Sequence, residues 1–252
     1  MLWKITGTDV HLVGTVHMSD RPVDLGQTIS PLVDQAQVVA FETNWDAPQH
    51  PKTGMQKKGK RLSDSIPPDL VADTKLELAA INFEGDPEAH EPWDLALKIL
   101  GARSQEWGFI HQGVDHAVRA RMGSKAQLFL EPVGASLSAF GSGPLHEQIT
   151  MLDSAVRRQV EGRALIIRLV SAWWERRIED CRAISIAQHA ALPTIMSNVI
   201  TARNAAWLPQ ITRLARGNKR AVVAVGLLHF VGSKGLPEML GDAGLECIAV
   251  PS

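Results

Sequence analysis

"RAVVAVGLLHFVG", residues 220–232, is the stretch on which the fold turns. Its first half is apolar almost without a break, stops at Gly226, and is followed three places later by His229. A run with no polar face suits a parallel strand covered on both sides, although periodicity alone also allows a buried helix. "VHLVGTVH", residues 10–17, repeats the pattern near the other end of the chain, with Gly14 and then His17. "QVVAFE" (37–42) and "AQLFLE" (126–131) are two more short apolar runs, and each closes on a glutamate. "MLWKITG" reads as the opening strand before a Gly7-Thr8-Asp9 turn, and "LECIAV" (245–250) as the closing one.

Helical spacing fills the space between these runs. It predicts helices within 30–36, 68–81, 91–103 (Pro92 in the first turn), 154–185 and 199–217, the last stopping at Gly217. Ser233 is expected to cap a short helix that Gly244 ends. Strands at both chain ends with helices between them predict an α/β fold. Its central, mostly parallel sheet is built from both chain ends, and a large helical insertion roofs the strand carboxyl ends. The expected organisation is a single domain over 1–252. Core strands lie in about 1–45, 125–132 and 218–252, and the insertion in about 60–120 and 145–217. The polar, basic stretch 46–61 is expected to be an exposed loop. Its Lys57, Lys58, Lys60 and Arg61 read as solvated surface, with contact to an anionic partner as the alternative.

Composition narrows the function. The chain has 252 residues, 45% hydrophobic, enough for a sizeable core, and a net charge of −1, which gives no electrostatic footprint for nucleic acid. No stretch reaches the ~18 apolar residues of a membrane span. The first residues lack a basic segment followed by an apolar one, so the cytoplasm is the expected compartment. Cys181 and Cys247 are far apart and read as free buried thiols rather than a disulfide or zinc site. Tyrosine is absent, which removes a tyrosine nucleophile.

In open α/β sheets, ligands bind beyond the strand carboxyl ends. His17, Glu42, Glu131 and His229 are all expected there. Imidazoles from two adjacent strand ends, ~4.8 Å apart, can reach one ion. Gly14 and Gly226 would let the backbone approach a ligand closely. Neutral imidazole with carboxylate suits zinc, manganese, iron or cobalt, and such an ion activates water. The opposing reading is that each histidine is a hydrogen-bonded structural residue, that each glutamate caps a helix or binds a surface cation, with metal, Arg203 or solvent as its possible partners, and that Arg203, in a helical pattern, is solvated. A carboxylate after an apolar strand needs some partner. His11, His50, His90, His111, His116, His146 and His189 show no ligand spacing and read as structural or exposed.

These segments, taken in order, resemble the TraB/GumN family, which includes the TIKI proteases. "LWKITG…VHLVGTVH", "VVAFE", "LSDSIPPDL", "EPWDLAL", "GVDHAV", "LFLEP", "SAWWERR", "ARNAAWLPQI" and "VAVGLLHFVGSKGLPEML" carry the resemblance over almost the whole chain. It implies a fold related to erythromycin-esterase and ChaN-like proteins. It also implies, for the TIKI branch, metal-dependent peptide hydrolysis through two Gly-x-x-His motifs and a glutamate. Carried over, that points to a manganese, cobalt or zinc ion on His17, Glu42 and His229, with Glu131, Arg203 and Asn204 beside it. Pro132 stands where the family usually has threonine, and "VGASLSAF" lacks a glutamine common there, so the substrate-facing part of that motif departs from the pattern. Bacterial members often carry a signal peptide, which is not read here.

The leading expectation is a metal-dependent hydrolase of a peptide or other small acyl substrate. Glu42 would be third ligand or general base, and Arg203 would stabilise developing negative charge. A non-catalytic peptide- or haem-binding protein and a metal-independent esterase with a histidine base are the competing readings. The sequence leaves the oligomeric state open.

Overall fold

In the computed structural model, which describes residues 1–44, 47 and 53–250, the strands are β1 (Leu2–Ile5), β2 (Val10–Thr15), β3 (Met18–Ser19), β4 (Val38–Phe41), β5 (His111–Gln112), β6 (Ala126–Phe129), β7 (Ala221–Gly226) and β8 (Cys247–Ala249). Six of them form one sheet in the order β6-β4-β7-β2-β1-β8, and β3 pairs with β5 in a small antiparallel ribbon. β4 runs parallel to both β6 and β7, and β2 runs parallel to β7. β1 is antiparallel to β2 and β8. The register sets Thr15 opposite Gly226, and Phe41 opposite both Ala224 and Phe129. All four apolar runs therefore end on one sheet edge, and the chain folds as the expected α/β sheet with a helical majority between its ends.

Burial explains why the runs pair this way. Ala221–Val225 of β7 are all buried, as are Val10, Leu12 and Val13 of β2 and Val39, Ala40 and Phe41 of β4. Each such valine or leucine contributes roughly 1.5–3 kcal/mol on leaving water, well above the ~1 kcal/mol span of strand propensities. Ile29 and Val33, Val114 and Val118, and Trp207 and Ile211, from three different helices, join this core. Leu62, Leu70, Leu78, Leu95, Ile99 and Leu152 form a separate apolar cluster inside the helical part.

Several expectations are corrected in detail. β6 was read as covered on both faces, but it is the outer strand, and Ala126 and Gln127 are exposed. The long helix of 154–185 is three helices, Leu145–Arg157, Gln159–Trp174 and Ile178–Ala191. Its second break is at Arg176, whose φ of 57° is left-handed, with Arg177 N donating to Ala172 O as at a helix C-terminus. The helix of 199–217 becomes a wide π turn, Ser197–Ala202, followed by the helix Arg203–Arg216. Gly235, not Ser233, precedes the helix Leu236–Asp242, and Gly244 follows it at a φ of 78°. Of the loop 46–61, Lys57, Lys58, Lys60 and Arg61 are exposed as expected, while residues 46 and 48–52, including His50, lie outside the described residues. Cys181 is buried and Cys247 half-buried, and both are free.

Candidate functional site

Two glycines allow the strand ends to close on one another. A Cβ on Gly14 would stand 2.8 Å from Leu227 Cδ1 and 3.1 Å from Trp3 Cζ3, and one on Gly226 would stand 3.1 Å from Glu42 Oε1. Trp173, at the end of its helix, donates from Nε1 to Gly14 O at 2.7 Å and pins the helical roof to the strand that leads to His17.

Glu42 follows β4 and is buried. Its Oε1 accepts from Gly226 N at 2.6 Å and its Oε2 from Arg203 Nη2 at 2.6 Å. Burial pushes its carboxyl up, but the charges of His229, Arg203 and His17 and the Gly226 N–H are set against burial and hold it below the ordinary carboxylate value. Glu131 follows β6, and its backbone N donates to Glu42 O at 2.9 Å, so the two glutamates stand side by side on the edge. Arg203 Nε and Nη2 donate to the two Glu131 oxygens at 2.9 and 2.7 Å, a bidentate pair. Trp207 lies one helical turn beyond Arg203. Its Nε1 donates to Glu131 Oε2 at 3.0 Å, and its ring lies under the guanidinium at 4.7 Å. Arg203 Nη1 donates to Val199 O at 3.1 Å, in the π turn, and faces His229 Nε2 at 3.3 Å. All five N–H groups of the guanidinium are thereby used inside the protein.

Asn204 fixes the tautomer of His229. Its Nδ2 donates to His229 O at 3.1 Å and Lys234 O at 2.8 Å, which leaves Oδ1 to accept from His229 Nδ1 at 2.7 Å. The proton is then on Nδ1, and the Nε2 lone pair faces Arg203. Burial first, then the Arg203 and His17 charges, push His229 down to about 3 against the pull of Glu42. It is neutral at physiological pH. Arg203, His17 and the Gly226 N–H, rather than His229, therefore keep Glu42 ionised.

His17 differs from the rest of the group. Its side chain is 51% exposed, while its partner Asp115 is 9% exposed, and Nδ1 lies 3.1 Å from Asp115 Oδ2. Burial opposes its charge, but the Asp115 hydrogen bond and charge, helped by Glu42, raise it to about 9. Asp115 arrives from the helix Val114–Met122, and Gly113 makes this possible: Gly113 N donates to His17 O at 3.0 Å and Val114 N to Val16 O at 2.8 Å. A Cβ on Gly113 would lie 1.8 Å from Val16 O.

Hydrogen bonds join Glu42, Glu131, Arg203, Asn204 and His229, whereas His17 is bonded to Asp115 and feels Glu42 and Arg203 through their charges. Asp115 and Trp207 were not anticipated. Asp115 had as its signal an acid in a helix first turn after glycine, which is common. Trp207 could have been found from its spacing of four to Arg203. The expected roles fare differently. The imidazoles have the orientation of metal ligands, each Nδ1 held by an oxygen. Yet both Glu42 oxygens and His229 Nε2 are already engaged, by Arg203 and Gly226 N, and among the described residues no three His, Cys, Asp or Glu side chains are placed to hold an ion. The arrangement as it stands does not fit a metal on His17, Glu42 and His229. Nor does Arg203 have a donor left for a transition state. Among the described residues, no helix is long and apolar enough to cross a membrane.

Comparison with curated proteins and with solved structures gave no match. The model of the TraB/PrgY/gumN family, however, matches residues 1–247. That span takes in five of the six strands of the main sheet, the first residue of β8 and every site residue named above, and the chain belongs to the TraB/PrgY/gumN family.

Proposed function

We propose that this protein hydrolyses a peptide or similar acyl bond, and that His17 is the side chain that meets the substrate. One observation carries the reading: the His17–Asp115 pair stands half-exposed at the edge where the buried Glu42, Glu131, Arg203 and His229 are locked in place. Asp115 is the positioning residue, holding Nδ1 so that Nε2 turns away from it. With a pKa raised to about 9, His17 carries its proton at neutral pH. It can hydrogen-bond to an acyl oxygen as that oxygen gains charge, keeping its proton, and then transfer that proton to the leaving amine or alkoxide. Water adds to the acyl carbon, the acyl–nitrogen or acyl–oxygen bond breaks, and a proton of the water replaces the one His17 gave. The buried groups do not act on substrate in this scheme. They fix the sheet edge and supply the negative field of Glu42, which favours the imidazolium.

A second reading is favoured by one fact: every donor of Arg203 and both oxygens of Glu42 are used internally. The same edge would then bind a peptide or a haem-like ligand without turnover. Chelator-treated protein incubated with a mixed peptide library and simple esters separates the two. The hydrolase reading expects cleavage that survives chelation and falls ~10²–10⁴-fold in a folded His17→Gln variant. Tight peptide or haem binding by a wild-type protein that cleaves nothing would establish the binding reading instead.

A further inference from the structure

Asp115 uses only half of its carboxylate. Its Oδ2 faces His17 Nδ1 at 3.1 Å. Its Oδ1 is buried and has no hydrogen-bond partner among the described residues. Two nearby atoms share that condition, Thr43 Oγ1 and His116 Nδ1, the latter 3.8 Å from Asp115 Oδ2. The three are not scattered. Thr43, Asp115 and His116 line one small cavity of about 10 Å³, which Phe41, Phe129 and Arg119 complete. Thr43 stands just past β4, next to Glu42, while Asp115 and His116 belong to the helix Val114–Met122. Set against two phenylalanine rings, such polar atoms would lose the bonds that water gives them in the unfolded chain, and native interiors leave few of them unsatisfied.

We infer that this cavity binds one water molecule, bonded to Thr43 Oγ1, Asp115 Oδ1 and His116 Nδ1, and that Thr43 and His116 act through it as positioning residues for the His17–Asp115 pair. Size and chemistry agree. One water needs ~10–15 Å³ and two to four polar partners. In a cavity this small, the occupant touches every wall. The ionised carboxylate oxygen only accepts, so the water donates one proton to Asp115 Oδ1. It donates the other to His116 Nδ1, whose ring keeps its own proton on Nε2, and it accepts from the Thr43 hydroxyl. With a single carboxylate and with Arg119 on the wall, the cavity suits neutral water over a cation. The water links the end of β4, where Glu42 stands, to Asp115 by hydrogen bonds. The direct influence of Glu42 on His17 is through charge alone. A carboxylate held at both oxygens also stays turned towards His17. The catalytic meaning of this link rests on His17 being the residue that meets substrate; the water and its effect on His17 do not.

Two measurements test it. A crystal structure of the wild-type chain, at a resolution that shows ordered water, is expected to hold one water within hydrogen-bond distance of all three atoms. The His17 ring resonances are then followed by NMR through their titration in wild type, Thr43→Val and Thr43→Ser. Valine keeps the shape and removes the hydroxyl. It is expected to lower the His17 midpoint by about one unit, because the Asp115 carboxylate loses a support for its charge. Glu42, Arg203 and His116 are common to these proteins. Serine keeps the hydroxyl and is expected to restore most of the shift, whereas a packing role for Thr43 would make serine, which lacks the methyl group, the worse variant. If Thr43→Val does not fold, His116→Leu, at a half-exposed side chain, carries the same expectation. Neither measurement needs turnover, so a wild type that cleaves nothing would end the hydrolase reading and leave this one standing. The inference is overturned by a cavity without water, by a cation or a direct Thr43–Asp115 bond in its place, or by a folded Thr43→Val or His116→Leu whose His17 midpoint is unchanged.

Discussion

His229 should make this protein acid-sensitive in a way a single substitution removes. Protonation has to occur at Nε2, because Asn204 Oδ1 already takes the Nδ1 proton, and Nε2 lies 3.3 Å from the cationic Arg203. The new N–H would meet another N–H, with no acceptor for it. The folded chain therefore refuses the proton down to about 3, whereas an unfolded histidine takes it near 6.5. Between these values the unfolded state binds more protons, so stability is full above pH 6.5 and is lost as pH falls. Each pH unit is worth ~1.4 kcal/mol once the unfolded histidine is charged, which gives about 2 kcal/mol between pH 6.5 and 4.5 from this side chain alone. Urea unfolding at half-unit steps across that window, on wild type and His229→Gln, isolates the term, because every other histidine and carboxylate is common to both proteins. The stability of the glutamine variant should start lower, and its curve should be flatter by close to one proton. Parallel curves would refute the reasoning, since they would mean that His229 titrates normally in the folded protein.

Asp115→Asn should let the His17 pKa, read from its ring resonances, fall from about 9 towards 6.5. It should also remove the part of stability that wild type holds below pH 6.5 and loses as pH rises through about 9; an unchanged His17 titration would show that Asp115 does not hold the charge. Gly14→Ala should cost ~1–3 kcal/mol in urea unfolding, because the new methyl meets Trp3 at 3.1 Å and Trp3 is stacked on Phe230 at 4.3 Å; a neutral substitution would mean that the stack can give way. The Cys181 and Cys247 thiols, pushed up to about 11 and about 12 by burial, should react slowly with a thiol reagent at neutral pH and fully once urea is added. Fast labelling of the folded chain would contradict their burial.

The sheet was legible because β4 and β7 are apolar over their whole length and β2 nearly so, broken by His11 and Thr15, and burial on both faces is what makes such runs favourable. His17, Glu42 and His229 at or just past their ends, and Glu131 past β6, could be read for a related reason: a histidine or glutamate just after an apolar run must find a partner. What could not be read is which partner. His17 was matched with His229 because their motifs look alike, yet the contacts differ, with Asp115 on one imidazole and Asn204 on the other. That difference arises from Gly113 and from the π turn before Arg203, and neither leaves a mark in hydrophobic periodicity. The break at Arg176 was hidden too, since a left-handed arginine is expected less often than a glycine there. Arg203 and Asn204 were picked out as neighbours of the site. The sequence could not reveal that one arginine uses all its donors inside the protein, because that depends on four segments meeting.

The central claim is that a guanidinium, not an ion, is the cation among Glu42, Glu131 and His229. A crystal structure of the wild-type chain grown with excess manganese, with anomalous data collected, tests it most directly. The account expects planar density for Arg203 between the two carboxylates, His229 Nε2 facing it, and no anomalous peak among them. A manganese peak bound by Glu42 and His229, with Arg203 turned away, would contradict it.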